Sequence, residues 1–508
     1  MGISGDASTL PLRDGPLGGP ASGRRPLGGR AGERADVRSA SRAGGLALLL
    51  LVAGSLLVVI VAANRPSLLS PTTHANFFPH WMAGPLGGLW PGLPAGSTAL
   101  RYIFTGTVAA MYLAYVVALA YAGRLPARWV IGAILAVHVV FLLAPPLALT
   151  DVFNYINYGR MEVVHHLNPY TTIPISEPHG DPSFALSNWH QLLSPYGPLF
   201  TLFTFSVVPL GVAGSFWALK GVLALASLAT LLLVWRCARL LGRDPVTAIV
   251  LVGLNPIVLV WGLGGDHNDF LTMFFIVLGF YLLVRARAGQ QQRAGTASPP
   301  GPGAEPPPAA AGGASPGRRL RGLVLPLMPA ETGAGAAFVT AAAIKASAGI
   351  LIPVVLAGLL RSPRRLGHVV LGMLAAAAVI GVASLIAFGV HIPDLNTQSR
   401  LVTNESVPNL VGLLIGVGGE SEGVRVVMSA LLGCSVLLCC VMAWRRREAI
   451  GASGWASVAL LLTLSWVLPW YVLWVLPLAA LSGSRRLRNA ALVLGVYLII
   501  AWAPASIL

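Results

Sequence analysis

The stretch "TDVFNYINYGRMEVVHHLNPY", residues 150–170, gathers Asp151, Arg160 and Glu162 with three asparagines, three tyrosines and two histidines. A carboxylate at Asp151 has two natural uses. It can cap a helix, accepting from first-turn N–H groups in line with the helix dipole. It can also act as a general base that takes a proton from an acceptor hydroxyl. At helical spacing Asp151, Asn154 and Tyr158 share a face, and the polar company of Asn157, Arg160 and Glu162 favours the second use. Arg160 either pairs with Glu162, meets lipid headgroups, or grips a phosphate with both prongs of its guanidinium. His165 and His166 have no partner at metal-ligand spacing and read as solvated or interfacial. "NPY" at 168–170 is foremost a turn.

A second polar cluster is "GGDHND", residues 264–269. Asn268 or Asp266 suits a helix N-cap. Alternatively Asp266, His267, Asn268 and Asp269 bind sugar hydroxyls or a metal. The two acids are near enough to share a divalent cation, but a third ligand is not evident; no metal ligand is assigned, no cofactor is required, and a role for a divalent cation stays open. Lys345, in "AAAIKASAG", is an ammonium among apolar residues, which is costly unless it snorkels or has a partner. A lipid phosphate is one such partner. For Lys220, deeper in an apolar run, snorkelling or a structural pair is expected. "WVLPWYVLW", residues 466–474, is either an interfacial aromatic belt or the lining of a sugar or polyprenyl groove, with Trp470 and Tyr471 at its centre. No Walker A, GxGxxG after a strand, HExxH or GxSxG is present in context. Nothing here handles a soluble nucleotide, and a lipid-linked donor is the natural substitute.

These residues must be positioned by membrane helices. Of 508 residues, 55% are hydrophobic and only 10% charged, with mean hydropathy +0.74; a soluble domain carries roughly 25% charged residues. Apolar runs near the ~20 residues needed to cross a bilayer recur along the chain, and a helix is the expected spanning form. The reading is an all-α polytopic membrane protein with about 12–13 membrane segments. The net charge of +16 comes almost entirely from arginine, with Lys220 and Lys345 the two lysines. Without aromatic interleaving, it points to topology and anionic lipid rather than nucleic acid. Cys237, Cys434, Cys439 and Cys440 have no metal spacing, and no disulfide is expected.

Residues 1–43 read as a disordered basic cytoplasmic tail. An N-terminal transmembrane part, 44–284, carries an outer loop at 150–196. Its first three spans are placed at 45–63, 102–122 and 130–149, with Phe77, Phe78, Trp81 and Trp90 suited to an interface belt. Residues 199–212 are re-entrant or lie along the membrane surface. Residues 285–322, with "PPGPGAEPPPAAAGG", read as a disordered cytoplasmic linker. The C-terminal transmembrane part, 323–508, has an outer loop at 391–425. Within it, 323–360 reads as two crossings broken near Glu331 and Lys345, and 452–466, 469–481 and 489–503 close the chain. By the positive-inside rule the N-terminus is cytoplasmic, and the polar, arginine-poor features converge on the outer face. Such convergence is the footprint of a site.

In order and spacing, "TDVFNYINYGRM…HLNPY" followed by "SPYGPLF", then "NPIVLVWGLGGDHNDFLTMFFIVLG", the Lys345 break and "LPWYVLWVLPL" resemble the polyprenyl-phosphomannose-dependent α-1,6-mannosyltransferases. The resemblance covers residues 151–481, the Pro-rich linker excepted. It implies a GT-C glycosyltransferase fold, a polyprenyl monophosphate sugar donor and a mannan or lipoglycan acceptor at an actinobacterial-type envelope. Asp151 matches the family's loop carboxylate. Where the superfamily often shows paired acids, Val, Phe and Asn follow Asp151 here, which leaves metal participation open. Asp151 would then deprotonate the acceptor, and attack on a β-linked donor would give an α product. The leaving phosphate needs positive charge, for which Arg160, Lys345 and Arg400 are candidates. Asn154, Tyr158, Glu162, Asp266, His267, Asn268, Asp269, Trp470 and Tyr471 are candidates for sugar and acceptor contacts. The alternatives are another lipid-phosphosugar transferase, arabinosyl or glucosyl, or a transporter of lipid-linked glycans. A transporter would place its ionisable groups at the bilayer midplane.

Overall fold

A chain that must satisfy its backbone without water does so most simply in helices. The computed structural model describes residues 28–64, 79–90, 97–147, 151–296 and 329–503, and every regular element among them is helical. In chain order the helices are α1 (Gly28–Asn64), α2 (Ser97–Tyr121), α3 (Ala127–Leu142), α4 (Val152–His165), α5 (Pro198–Val207), α6 (Gly211–Leu240), α7 (Pro245–Gly253), α8 (Asp269–Thr296), α9 (Ala330–Ile344), α10 (Leu351–Leu359), α11 (Pro363–Phe388), α12 (Val407–Leu414), α13 (Glu422–Arg446), α14 (Ala449–Thr463), α15 (Leu476–Ser482) and α16 (Arg485–Trp502), with shorter helical turns between them. Six stretches are long and apolar enough to cross a membrane: Ser41–Ala63, Thr98–Arg124, Pro198–Leu240, Asp269–Gln291, Pro363–Phe388 and Glu422–Arg446. Others, such as Ala127–Leu142, Ala330–Ile344 and Ala449–Thr463, are apolar but shorter. The expected polytopic helical architecture is the one the chain adopts.

Helix ends follow local chemistry. Asp244 caps α7 by accepting from the N–H groups of Val246 and Thr247, with Pro245 in the first turn. Ser421 and Ser484 cap α13 and α16 in the same way. The main core joins α1, α2, α3, α7, α8, α9 and the C-terminal helices. By contrast α11 and α13 leave large apolar side chains exposed, among them Leu374, Val379, Ile386, Leu437 and Leu438. Such a surface suits lipid and not water. A second, smaller core packs α4 against α5 and the start of α6. There Phe153 stacks on Phe216, and Tyr155 meets Tyr196 and Phe200 edge-on.

Two irregular segments carry the polar residues. After α7, Asn255 accepts from the N–H groups of Ile257 and Val258, and Val258–Leu263 widens into a π-helical turn. Such turns often mark functional sites. The chain then folds sharply through Gly264 and Gly265. A Cβ at Gly265 would sit 2.3 Å from the Trp261 carbonyl and 2.5 Å from His267 Nε2, so only glycine allows this approach. The second segment is the junction of α9 and the 3-10 turn Ala346–Ile350, where Lys345 is extended. Gly197 N donates to Ile344 O at 3.0 Å. A Cβ at Gly197 would collide with the Ala343 carbonyl at 2.1 Å. The loop before α5 is thereby pinned beside Lys345.

Several boundaries differ from the sequence reading. The helix α1 starts at Gly28, so residues 28–43 of the expected disordered tail are helical; residues 1–27 lie outside the described residues. The helix α8 continues through Thr296, so the first part of the expected 285–322 linker is helical as well, and 297–328 lie outside. Both extensions continue an apolar helix into residues that favour helix, Ala, Arg and Gln among them. The third span ends at Leu142, before Pro145 and Pro146, rather than at 149. Of the expected crossings in 323–360, residues 323–328 lie outside the described residues, and 330–359 form a fifteen-residue helix, a 3-10 turn and a nine-residue helix rather than two full crossings. Residues 469–481 are a 3-10 turn followed by the seven-residue α15, because Pro469 and Pro477 interrupt any longer helix. Residues 199–212 fall on the ten-residue α5, the turn after it and the first residues of α6. Phe77 and Phe78 lie outside the described residues, and Trp81 packs against Phe216 rather than only at an interface.

Candidate active site

Four aspartates lie around the junction of the two cores, and each is held differently. Asp151 occupies the N-cap position of α4 but makes no capping hydrogen bond. Its Oδ2 instead lies 3.5 Å from His267 Nδ1, and its side chain keeps 12% exposure. His267 is fully buried, with its ring stacked on Trp470 at 3.4 Å between centroids and 11° between planes. Neither ring nitrogen makes a hydrogen bond of ordinary length. Burial holds the imidazole below its usual range, against the opposing pull of Asp151.

The other three acids are tied to cations. Asp269 accepts from Lys345 Nζ at 2.9 Å on both oxygens, and Trp474 Nε1 donates to the same carboxylate. The ammonium also lies 4.7 Å from the Tyr471 ring centroid and 5.2 Å from that of Trp474. Asp266, in the left-handed region at φ 57°, pairs with Lys220 at 3.2 Å, and both side chains are buried. Asp181 receives a two-pronged Arg160 at 2.9 Å, His165 Nε2 at 2.8 Å and the Ser183 hydroxyl at 2.7 Å. These bonds hold its carboxyl well below the usual range despite burial.

This arrangement revises several sequence expectations. Arg160 does not pair with Glu162; its Nε and Nη2 are engaged by Asp181. Glu162 has one buried oxygen without a hydrogen bond, and burial raises its carboxyl. Asn154 and Tyr158 do lie on the Asp151 helix, but they fasten the following loop. Asn154 Oδ1 accepts from the N–H groups of Asn188 and Trp189, and the Tyr158 hydroxyl donates to Leu192 O at 2.7 Å. His165 is a bonded partner of Asp181 rather than a solvated side chain. Asp266 and Asp269 turn to separate lysines instead of sharing a cation, and no three metal-ligating side chains converge among the described residues. Lys220 has the structural pair that was one of its two readings. Lys345 is paired by protein, not left for lipid alone. Arg400 is exposed past the short helix Leu395–Ser399, and no contact links it to these acids among the described residues. Trp470 and Tyr471 are buried, packed on His267 and Trp474. "NPY" is a turn: Asn168 Oδ1 accepts from Tyr170 N, and its amide donates to Phe388 O.

Sequence reasoning missed Glu177, Asp181, Tyr155 and Trp474. Glu177 is 4% exposed and neither of its oxygens makes a hydrogen bond of ordinary geometry. Burial pushes its carboxyl up to about 7, with Asn157 and Arg160 opposing and Asp181 reinforcing. The signal was the acid pair in "SEPHGDPS" within an otherwise acid-poor chain. Tyr155 accepts the N–H of Asn268 at its hydroxyl, 3.1 Å away. The Asn268 side-chain amide is buried and has no hydrogen-bond partner on either atom.

Residues 42–361 match the family model described as alpha-(1->6)-mannopyranosyltransferase, N-terminal domain, and residues 405–507 match the MptB C-terminal domain. Alpha-(1->6)-mannopyranosyltransferase A of Mycobacterium tuberculosis is 26% identical over 397 residues, covering 72% of this chain and 67% of that protein. A second alpha-(1->6)-mannopyranosyltransferase of the same organism is 27% identical over 406 residues, 70% of this chain and 66% of its own length. A probable alpha-(1->6)-mannopyranosyltransferase of Mycolicibacterium smegmatis is 28% identical over 389 residues, 71% of this chain and 67% of its own. The match thus spans about two thirds of these relatives. No solved structure matches the chain significantly.

Proposed function

The chain belongs to the alpha-(1->6)-mannopyranosyltransferase family, and from that premise we propose that it moves a mannosyl residue from a polyprenyl monophosphate to a hydroxyl of a mannan or lipoglycan acceptor, with inversion, at the outer face of the cell membrane. The observation that supports this most is the contrast among the acids. Asp181, Asp266 and Asp269 each have a cation at hydrogen-bonding distance, whereas among the described residues Asp151 faces His267 at 3.5 Å and keeps an exposed edge. Glu177 also lacks a cation partner, but both its oxygens are buried. A carboxylate placed as Asp151 is can accept a proton.

In this reading Asp151 takes the proton of the acceptor hydroxyl as its oxygen attacks the anomeric carbon. The bond from that carbon to the phosphate oxygen breaks on the opposite side, and polyprenyl phosphate leaves carrying the electron pair. His267 flanks Asp151 at 3.5 Å. Lys345 gives two hydrogen bonds to Asp269 and retains one N–H for the departing phosphate. Asn268, with donor and acceptor both unused, suits a sugar hydroxyl. His267 and Asn268 are fully buried, so sugar reaches them by displacement of the Pro469–Trp474 turn that covers His267.

The test is incubation of proteoliposomes with polyprenyl phosphates bearing mannose, glucose or arabinose and with a nucleotide-activated mannose. Consumption of the mannosyl lipid with formation of an α-1,6 linkage is expected. Transfer from a different lipid sugar alone, or from the nucleotide alone, would reject the proposal.

A further inference from the structure

A cavity of about 610 Å³ lies between the ends of α6, α8, α10 and α13 and the start of α14. Arg243, Arg287, Arg365, Arg446 and Arg447 line it, against one acid, Glu448. Arg365 is engaged, by Glu331 at 3.3 Å and by the Leu283 carbonyl. The other four have no ion pair among the described residues, and the Nε of Arg243 is buried without a hydrogen bond. Arg447 stands at φ 54°, a backbone conformation that side chains seldom adopt. Gathering this much like charge around one concave site raises the local positive potential, which attracts an anion.

The depth and the lining identify the kind of anion. Arg287 lies eighteen residues after Asp269 on α8, or about 27 Å along the helix axis. That is close to the ~30 Å hydrocarbon thickness of a bilayer. The cavity therefore sits at headgroup level in the leaflet opposite the acid cluster. Beneath the arginines its wall is apolar, with Phe280, Leu283 and Val355. A soluble anion has no use for such a wall, whereas a lipid has a chain to lay on it. The chain's own undescribed segment does not complement the charge, since residues 297–328 carry Arg318, Arg319 and Arg321 against Glu305.

We infer that this cavity binds the phosphate headgroup of an anionic membrane lipid, at a site separate from the one that binds sugar donor. Basic pockets between helices take such headgroups through charge-assisted hydrogen bonds. The test uses the full-length protein in neutral detergent and native mass spectrometry. It compares phosphatidylglycerol, phosphatidylcholine with the same acyl chains, and inorganic phosphate. Phosphatidylglycerol should be retained preferentially. The variant R287Q/R446Q/R447Q, all at exposed positions, should lose it at least about tenfold, as should R287E alone if the triple variant folds poorly. The control R124Q/R128Q, in a basic turn away from the cavity, should retain it. Equal retention of phosphatidylcholine, displacement of the lipid by equimolar inorganic phosphate, undiminished binding in R287E, or an equal loss in the control would each overturn the assignment.

Discussion

What distinguishes Asp151 from its neighbours is its partner together with its exposure. Three nearby aspartates carry lysine or arginine at salt-bridge distance and Glu177 has both oxygens buried, whereas Asp151 carries His267 at 3.5 Å and keeps 12% of its side chain exposed. Asp151→Asn keeps the shape of the side chain and removes the base. It should lower transfer by about 10²–10⁴-fold while leaving the thermal unfolding temperature nearly unchanged, since no capping bond is lost. Glu177 yields a prediction in pH. Its carboxyl is raised to about 7 in the fold, so the folded state holds a proton that the unfolded chain releases near the ordinary glutamate range, about 4.3. The stability it contributes is complete below that range and is lost as pH rises through about 7. Glu177→Gln should remove that part of the decline in unfolding temperature between about pH 5 and about pH 8; an unaltered slope would show that the group titrates elsewhere. The sequence made Asp151 legible through its polar helix face. Glu177 and Asp181 were not legible, because only the fold shows which loop carboxylates are buried and who answers them.

At the scale of elements, ion pairs tie helices to loops. Lys220 on α6 holds the turn before α8 through Asp266, with both side chains buried. Lys220→Met leaves a buried carboxylate uncompensated and should cost about 3–5 kcal/mol; Lys220→Met with Asp266→Asn, which removes the charge and still tolerates the left-handed backbone, should recover much of it, as chemical denaturation can read. If the double variant is no more stable than the single one, the pair is not the reason for the loss. Arg160 on α4 fastens the loop after it through Asp181. Asp181→Asn should therefore speed hydrogen exchange across residues 170–196 more than elsewhere, and a uniform change would point to global unfolding instead. Hydropathy located the apolar helices well, because lipid demands long apolar runs. It failed at 469–481 and 329–360, where apolar residues build short broken helices around polar side chains. Apolar composition is the same in both cases; the prolines and Lys345 mark the difference.

The whole molecule has two polar ends. At one, the acids and the Lys345 junction meet the loop that Asn168 fastens to Phe388 at the end of α11. At the other, arginines surround a cavity. Cysteines placed at Val390 and at Arg287, in a background lacking the exposed Cys434, should react with a membrane-impermeant maleimide from opposite sides of sealed vesicles. Labelling of both from one side would contradict this orientation. The overall charge pattern had suggested two such ends from sequence alone, since arginines and the polar non-arginine clusters alternate between successive apolar runs. The pairing of each acid with its cation came only from the fold, because the partners are far apart in sequence: Lys220 with Asp266, Lys345 with Asp269.

The claim on which these readings converge is that Asp151 activates the acceptor for mannosyl transfer from a lipid phosphate. Its most direct test is a single-turnover assay in proteoliposomes with polyprenyl-phosphate mannose and an α-1,6-mannoside acceptor, comparing the native protein with folded Asp151→Asn. The native protein should form the α-1,6 product, and the variant should form it at least about 100-fold more slowly with donor binding retained. Product formation at the native rate by Asp151→Asn would contradict the account.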